Sequence, residues 1–167
     1  MIYVRQSKAE DANKMLKMLL KLDKETKFMM LEPGERSTNV NGIEGMINAA
    51  INGGNLLLVA EYESEIVGFL SAQRGGANKI RHTAYIVVGM RQRYRNKGIG
   101  TQLFKELDKW AMESGVSRLE LTVMCQNEAA KHLYEKNGFV VEGIKKNSIF
   151  MDGNYIDEYY MGKVFEN

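Results

Sequence analysis

The chain has 167 residues, of which 44% are hydrophobic and 26% charged, and its formal net charge at pH 7 is +2. A chain of this length buries about two thirds of its unfolded surface, so it suits one domain over residues 1–167. The small net charge argues against nucleic acid as a partner. The single cysteine, Cys125, favours a reducing compartment, and no apolar run approaches the roughly 18 residues of a membrane span. These features predict a cytoplasmic protein that binds neither a membrane nor nucleic acid.

The N-terminal third predicts a strand, two helices and a long loop. Met1 to Arg5 alternates as a strand does, and Ser7-Lys8-Ala9-Glu10 has the spacing of a capping box before an amphipathic helix. The segment from Lys24 to Asn41 contains the only proline and predicts a loop. Apolar residues at helical spacing predict a second helix from Gly42 to Asn52.

The rest of the chain alternates between strands and helices. Two short apolar runs around Glu63-Ser64-Glu65 predict a hairpin, and a further strand is expected over 81–88. The remaining elements, in chain order, are a helix that begins at Gly100, a strand over 118–123, a helix over 128–137, and strands over 139–145 and 155–164. This order predicts an α/β (α+β) protein with a mixed sheet of about seven strands.

A glycine-punctuated basic turn, Tyr94-Arg95-Asn96-Lys97-Gly98-Ile99-Gly100-Thr101, joins the fourth strand to its helix. The first backbone N–H groups of a helix lack partners within the helix, and the helix dipole adds roughly half a positive charge there. Gly98 and Gly100 carry no Cβ, so an anion can approach the backbone closely. The turn therefore predicts a site for a pyrophosphate group, or, more simply, a turn that starts a helix.

Two motifs carry a resemblance to a known family. Arg95-Asn96-Lys97-Gly98-Ile99-Gly100 resembles the Arg/Gln-x-x-Gly-x-Gly/Ala signature of the GNAT superfamily of N-acetyltransferases. The segment from Asn127 to Phe139 resembles the second half of that superfamily's acetyl-CoA site, where Asn, Ala, Leu-Tyr, Lys and Gly-Phe stand at the same spacing. The resemblance covers residues 55 to 165.

The resemblance implies a single domain with helices on both faces of the sheet and a wedge between strands four and five. We expect Gly89 and Met90 to form the bulge that opens this wedge, and the backbone around Val88 and Met90 to bond the pantetheine arm. The acetyl-CoA site would lie within residues 85–140, with no metal. Its other contacts would be Arg93, Arg95, Asn96, Lys97, Gly98, Ile99, Gly100, Thr101, Asn127 and Lys136. Asn127 also suits a helix N-cap.

The same resemblance assigns a proton donor, whereas the general base stays open. Tyr134 corresponds to a tyrosine near the coenzyme A sulfur, and a phenol of pKa about 10 can protonate a thiolate of pKa about 8.5. A core tyrosine is the simpler alternative. Many family members have a glutamate on the fourth strand, but this chain has none there. The substitutes are Glu120, His82, Asp157, Glu158 or a chain of water molecules.

The acceptor would be a primary amine of a small molecule or peptide, attacking acetyl-CoA directly in a ternary complex. In the family the segment over residues 24–54 covers the acceptor side, so Phe28 is expected to line a pocket and Glu32 and Glu35 to attract a cationic amine. A packed loop with exposed acids is the alternative. The resemblance also allows a homodimer, and a non-catalytic acyl-CoA sensor of the same fold is the competing function.

Overall fold

The structure is a computed structural model that describes residues 1–166. Short 3₁₀ turns at Ala9–Asp11, Asn78–Ile80 and Gln92–Tyr94 accompany the regular elements. The helices and strands, numbered in chain order, are β1 (Ile2–Gln6), α1 (Ala12–Glu25), α2 (Asn41–Asn52), β2 (Leu56–Tyr62), β3 (Glu65–Arg74), β4 (Thr83–Met90), α3 (Ile99–Ser114), β5 (Arg118–Met124), α4 (Glu128–Lys136), β6 (Val140–Met151) and β7 (Asn154–Val164).

Seven strands within residues 1–166 form one sheet in the order β1-β2-β3-β4-β5-β7-β6. β4 and β5 are parallel, whereas the pairs β1–β2, β2–β3, β5–β7 and β6–β7 are antiparallel. A parallel pair needs a crossover connection, which α3 provides. The structure confirms the predicted mixed sheet. Across the same residues no helix is both long and apolar enough to cross a membrane.

The pairing between β4 and β5 is short. Their register covers three pairs, from Thr83–Arg118 to Tyr85–Glu120. β4 nevertheless continues to Met90, and β5 also continues beyond its last paired residue. The two strands therefore diverge after Tyr85 and Glu120, which confirms the expected splay.

The chain divides into two compact units. The first unit comprises Met1–Gln73 and Val87–Trp110, and the second comprises Arg74–Ile86 and the chain from Ala111 onward. β4 contributes its first half to the second unit and its last half to the first. The prediction of a single domain over the whole chain stays a prediction.

The first unit has a core formed by α1, α2, β2 and β3. The apolar residues of both helices recur every three or four positions, which places them on one face of each helix. Full burial of each large apolar side chain stabilises the fold by about 1.5–3 kcal/mol. The buried members of this core are Ala12, Met15, Met18, Leu19, Leu22, Ile47, Leu57, Val59, Ile66 and Phe69.

In the second unit, β5 separates apolar from polar residues. Leu119, Leu121 and Val123 are buried, whereas the alternating residues Arg118, Glu120 and Thr122 are partly exposed. Because successive side chains of a strand point to opposite faces, β5 presents an apolar face to the core and a polar face on the other side.

The N-terminus of α1 is not built as the capping box predicted at Ser7–Glu10. The carboxylate of Asp11, rather than Glu10, accepts the Lys8 backbone N–H at 2.7 Å. The same carboxylate receives two hydrogen bonds from Arg5, at 2.8 and 2.9 Å. Arg5 and the Lys8 amide hold the pKa of Asp11 below its ordinary value despite burial. The prediction was wrong because the acid that accepts the backbone N–H is Asp11, which is held in position by Arg5 of β1.

β6 is longer than the predicted strand over 139–145. Its register with β7 shifts between Lys145 and Ile149, and Asn147 adopts a positive φ of 52°. The Asp157 carboxylate accepts the Asn147 backbone N–H and the Lys146 ammonium, each at 2.8 Å. These bonds support the irregular stretch, so the strand continues to Met151 instead of ending at Lys145.

β4 begins and ends two residues later than the predicted 81–88, so Gly89 and Met90 lie inside the strand. A Cβ on Gly89 would come within 2.8 Å of both Leu22 Cδ2 and Phe69 Cε1. Both side chains belong to the core of the first unit. Close packing therefore explains this glycine, while a bulge at Gly89 stays a prediction.

We expect Gly89→Ala to lower the free energy of unfolding by about 1–3 kcal/mol, because the added methyl group overpacks a filled core. Denaturant unfolding measures the change. Gly45→Ala, on α2, is the control, since a Cβ there meets nothing within 4 Å. That variant should be neutral or more stable by about 0.5–1 kcal/mol. Equal stability of the two variants would contradict the packing argument.

Candidate functional site

The turn between β4 and α3 has the backbone geometry of an anion site. Asn96 and Gly98 adopt positive φ angles of 59° and 79°. α3 then begins at Ile99, and the Gln102 N–H donates to the Gly98 carbonyl at 3.1 Å. Helix geometry leaves the N–H groups of the preceding helical residues, Ile99 to Thr101, without acceptors inside the helix. These amides, with the helix dipole, favour an anion at this point.

The basic side chains of the turn differ in how they are engaged. Arg95 donates from Nε to the Met90 carbonyl at 3.4 Å, and its side chain lies at the surface. Arg93 stacks over the Tyr94 ring, with its guanidinium carbon 5.7 Å from the ring centroid. Lys97 and Thr101 are exposed. All of these predicted contacts therefore lie on one short surface segment that includes the amides of the turn.

Glu25 anchors the start of this turn and was not predicted from the sequence. Its carboxylate pairs with the Arg91 guanidinium at 2.7 Å and accepts the Gln92 backbone N–H at 2.8 Å. Burial alone would raise the pKa of Glu25, but the bonds from Gln92 and Arg91 outweigh it and lower that pKa. Glu25 and Arg91 are 66 residues apart, so no local pattern indicates the pair.

On α4, Asn127 is the N-cap residue, because its side-chain oxygen accepts the Ala130 N–H at 3.2 Å. The structure thus bears out the simpler role, while a contact of Asn127 with coenzyme A stays a prediction. Lys136 lies exposed in the last turn of the same helix.

Tyr134, also on α4, is buried, with 8% of its surface exposed. Its ring packs against Phe139 with the ring centroids 6.1 Å apart. Burial, and next the nearby phenol of Tyr85, raise the pKa of Tyr134 well above its ordinary value. Tyr134 therefore keeps its proton across the physiological pH range.

The polar face of the second unit contains a pocket of about 340 Å³. Arg118 connects its acids: Nε donates to Glu120 at 2.9 Å, and the two terminal nitrogens donate to Glu142 at 3.0 and 2.6 Å. Arg118 lowers the pKa of Glu142, so that carboxylate stays charged. The lining residues are Tyr85, Arg118, Glu120, Leu121, Thr122, Glu142, Tyr160 and Met161.

This pocket was missed at the level of sequence. The alternation Arg118-Leu119-Glu120-Leu121-Thr122 does indicate a polar face on β5. The opposing residues come from strands that no local pattern pairs with it. Glu142, for example, reaches Arg118 from 24 positions away.

The structure places the candidate bases in different settings. Glu120 lies in the pocket, ion-paired with Arg118. His82 is exposed just before β4, and its backbone carbonyl accepts the N–H groups of Ser117 and Arg118. The Lys146 ammonium, and next the Asn147 N–H, lower the pKa of Asp157, which makes that carboxylate a weaker base. Glu158, the fourth candidate, is buried on β7.

The predicted acceptor-side residues lie on the loop between α1 and α2. Phe28 and Glu32 are exposed, and the Glu35 carboxylate accepts the Glu32 backbone N–H at 2.7 Å. Arg36 ties the loop to α1 through two hydrogen bonds to Asp23, at 2.7 and 2.9 Å. The loop is thus folded back on the first unit, with one of its two acids engaged by the backbone.

No group of three or more His, Cys, Asp or Glu side chains that could hold a metal ion occurs among the residues that the structure describes.

Comparisons with known proteins identify the class of protein. The acetyltransferase (GNAT) family matches residues 17–139. The L-amino acid N-acetyltransferase AaaT of Escherichia coli is 33% identical over 111 residues, which are 64% of this chain and 67% of that protein. Both matches are to enzymes that transfer an acetyl group, so the chain is an acyltransferase.

Solved structures agree with this class. The acetyltransferase of the GNAT family from Streptococcus pneumoniae has a TM-score of 0.94 and 30% identity, covering 99% of this chain and 100% of that one. A phosphinothricin acetyltransferase from Sinorhizobium meliloti, in complex with AcCoA, has a TM-score of 0.86 and 18% identity, covering 98% of this chain and 88% of that one. The chain belongs to the acetyltransferase (GNAT) family.

Proposed function

We propose that this chain binds acetyl-CoA and transfers its acetyl group to a primary amine by direct attack in a ternary complex. The observation that carries the proposal is the end of β4: the strand leaves β5 after Tyr85 and leads into a turn whose Gly98 has φ +79° at the start of α3. The AcCoA complex of the Sinorhizobium meliloti relative and the N-acetyltransferase activity in the name of the Escherichia coli relative support it.

The residues of the turn fit a diphosphate. The amides of Ile99, Gly100 and Thr101 point out of the helix start, and Arg95 and Lys97 add two exposed cations. A Cβ on Gly98 would meet nothing within 4 Å, so the backbone there is open to a ligand. Arg93 and Asn96 flank the same surface, while Asn127 and Lys136 on α4 are proposed to contact the rest of coenzyme A.

The end of β4 supplies the next contacts. Beyond Tyr85 the strand has no partner in the β4–β5 register, so its backbone is suited to pairing with an extended ligand. We assign the pantetheine amides to the backbone of Val88 and Met90. An N–H group there is the natural donor to the oxygen charge that develops during transfer, and loss of one such donor typically costs about 10²- to 10³-fold in rate.

Acetyl-CoA supplies an activated thioester. The chain has to provide a proton for the sulfur that leaves. Tyr134 is the proposed donor to the departing sulfur. Burial raises the pKa of Tyr134, so its phenol is protonated and available when the bond to the sulfur breaks. The attacking amine can lose its proton to water or to Glu120, and the pH–rate profile of Glu120→Gln separates these routes.

The proposed function is tested by incubating the chain with acetyl-CoA and a panel of primary amines and measuring the free thiol released. We expect at least one amine to release coenzyme A well above the background of hydrolysis, with the acetylated amine detected by mass spectrometry. If calorimetry shows acetyl-CoA binding while every amine is inert, the chain is an acyl-CoA binding module and the proposed transfer is wrong.

Gly98→Ala should weaken acetyl-CoA binding about tenfold. A residue with a side chain costs roughly 1–2 kcal/mol in the left-handed conformation, so the turn either is strained or moves its amides. Calorimetry measures the Kd. The matched control is Gly115→Ala, because Gly115 has a similar φ of 73° and equally open surroundings but lies after α3. Equal acetyl-CoA affinity in the two variants would remove the turn from the binding site.

A further inference from the structure

The pocket on the polar face of the second unit has the composition of a site for an organic cation. Its charged groups are one guanidinium, Arg118, and two carboxylates, Glu120 and Glu142, so its formal charge is negative. Two aromatic rings, Tyr85 and Tyr160, remain 41% and 46% exposed at its wall. Carboxylates and exposed aromatic faces together favour an ammonium group.

The guanidinium in this pocket is already engaged by the protein. Arg118 donates from Nε to Glu120 and from both terminal nitrogens to Glu142. Three of the five N–H groups of Arg118 are thus used, and two carboxylates already outweigh its charge, so a ligand carboxylate would enter a pocket of net negative charge. A Cβ on Gly162 would lie 2.7 Å from both Glu142 oxygens, so this carboxylate lies close to the backbone of β7. The pocket therefore disfavours a ligand that has its own carboxylate.

The position of the pocket relates it to acetyl transfer. Tyr85 and Glu120 form the last pair of the β4–β5 register, so the pocket lies where β4 leaves β5. The Tyr85 phenol bonds the Thr122 hydroxyl at 2.9 Å, which fixes its ring at the wall. Tyr85 is also near enough to Tyr134 to influence the pKa of that phenol. The proposed proton donor and one residue of the pocket wall thus influence each other electrostatically within the second unit.

We infer that this pocket binds the acceptor, and that the acceptor is a small cationic primary amine without a carboxylate on the carbon that bears the amine. Glu120 contacts the ammonium, and the rings of Tyr85 and Tyr160 flank it. This inference rests on the proposed N-acetyltransferase function and names its acceptor class. It moves the acceptor site from the loop that contains Glu32 and Glu35 to the polar face of β5.

The first test compares two pairs of amines that differ by one carboxylate, putrescine with ornithine and tyramine with tyrosine. We expect kcat/KM to favour the amine without the carboxylate at least tenfold in each pair. A preference for ornithine and tyrosine would overturn the inference, because it would require a free cation in the pocket.

The second test uses Glu120→Gln, which should raise the KM for putrescine about tenfold, since an ammonium loses its charged partner. The Kd for acetyl-CoA should not change more than twofold, because Glu120 lies outside the proposed coenzyme contacts. Tyr160→Leu should raise the same KM two- to fivefold. The control is Glu113→Gln, an exposed acid of α3 outside the pocket, which should change neither constant. A fall in kcat with unchanged KM in Glu120→Gln would assign Glu120 as a base and overturn its binding role.

Calorimetric titration of putrescine without acetyl-CoA separates this inference from the proposed function. Wild-type chain should bind putrescine, and Glu120→Gln should bind it about tenfold more weakly. If acetyl-CoA does not bind but this difference persists, the proposed function fails and the pocket assignment stands. If acetyl-CoA binds but the two chains take up putrescine equally, the pocket assignment fails alone.

Discussion

Tyr134→Phe is expected to lower kcat about 10²- to 10⁴-fold, the usual range for loss of a positioned proton donor. The ring stays, so its packing against Phe139 is retained and only the hydroxyl is removed. The Kd for acetyl-CoA should change less than twofold. Steady-state kinetics and calorimetry on the same preparation measure the two effects.

The pH dependence follows from the direction of the pKa shift. Burial, and next Tyr85, raise the pKa of Tyr134, so the donor loses its proton only at a pH above the ordinary value for tyrosine. The wild-type kcat/KM should therefore show no alkaline decline from this group up to about pH 10.

Tyr159→Phe is the matched control, because it removes a hydroxyl from a tyrosine of the same unit whose ring contacts Lys131. It should retain full turnover. Unchanged turnover in Tyr134→Phe, with acetyl-CoA still bound, would leave Tyr134 as a core residue and require another proton source.

The second large effect concerns stability. Arg36→Met is expected to lower the free energy of unfolding by about 3–5 kcal/mol, because it leaves the carboxylate of Asp23 buried without its cation. That carboxylate is only 2% exposed and receives both hydrogen bonds from Arg36. Denaturant unfolding, with the slope of the transition checked for two-state behaviour, measures the loss.

The double variant Asp23→Leu with Arg36→Met should regain most of this stability, since replacing both members of a buried pair by apolar groups is often neutral. Glu135→Gln provides the surface comparison, because it removes the ion pair and keeps the contact of Lys131 with the Tyr159 ring. Its partner Lys131 lies one helical turn away at 3.4 Å, and loss of such an exposed pair should cost at most about 0.5 kcal/mol. A cost for Arg36→Met as small as this would show that the loop is not fixed by its ion pair.

The sequence was sufficient for the features whose signals are local. The apolar runs on either side of Glu63-Ser64 predict the hairpin of β2 and β3, and both turn residues do adopt positive φ angles, of 47° and 67°. The turn between β4 and α3 and the helix after it follow from two glycines and the apolar spacing of α3. The family resemblance then implied the divergence of β4 from β5, which periodicity alone does not show.

The features that sequence reasoning missed depend on long-range pairs. Arg5 pairs with Asp11, so Asp11 rather than Glu10 caps the first turn. Asp157 accepts a backbone hydrogen bond from the irregular stretch that lengthens β6. The pocket requires Arg118 of β5 to meet Glu142 of β6, although these strands are not neighbours in the sheet. Such contacts depend on the strand order and the strand register, which cannot be read from a single sequence.

Glu25 links two segments of the first unit that have separate predicted roles. As the last residue of α1 it leads into the loop over residues 26–40. Its carboxylate accepts hydrogen bonds from Arg91 and from the backbone of Gln92, where the turn between β4 and α3 begins. A movement of the C-terminal end of α1 must therefore either break these hydrogen bonds or move the turn with it. Coupling between two binding sites is reciprocal. If a molecule that binds the loop changes the affinity for acetyl-CoA by some factor, acetyl-CoA changes the affinity for that molecule by the same factor.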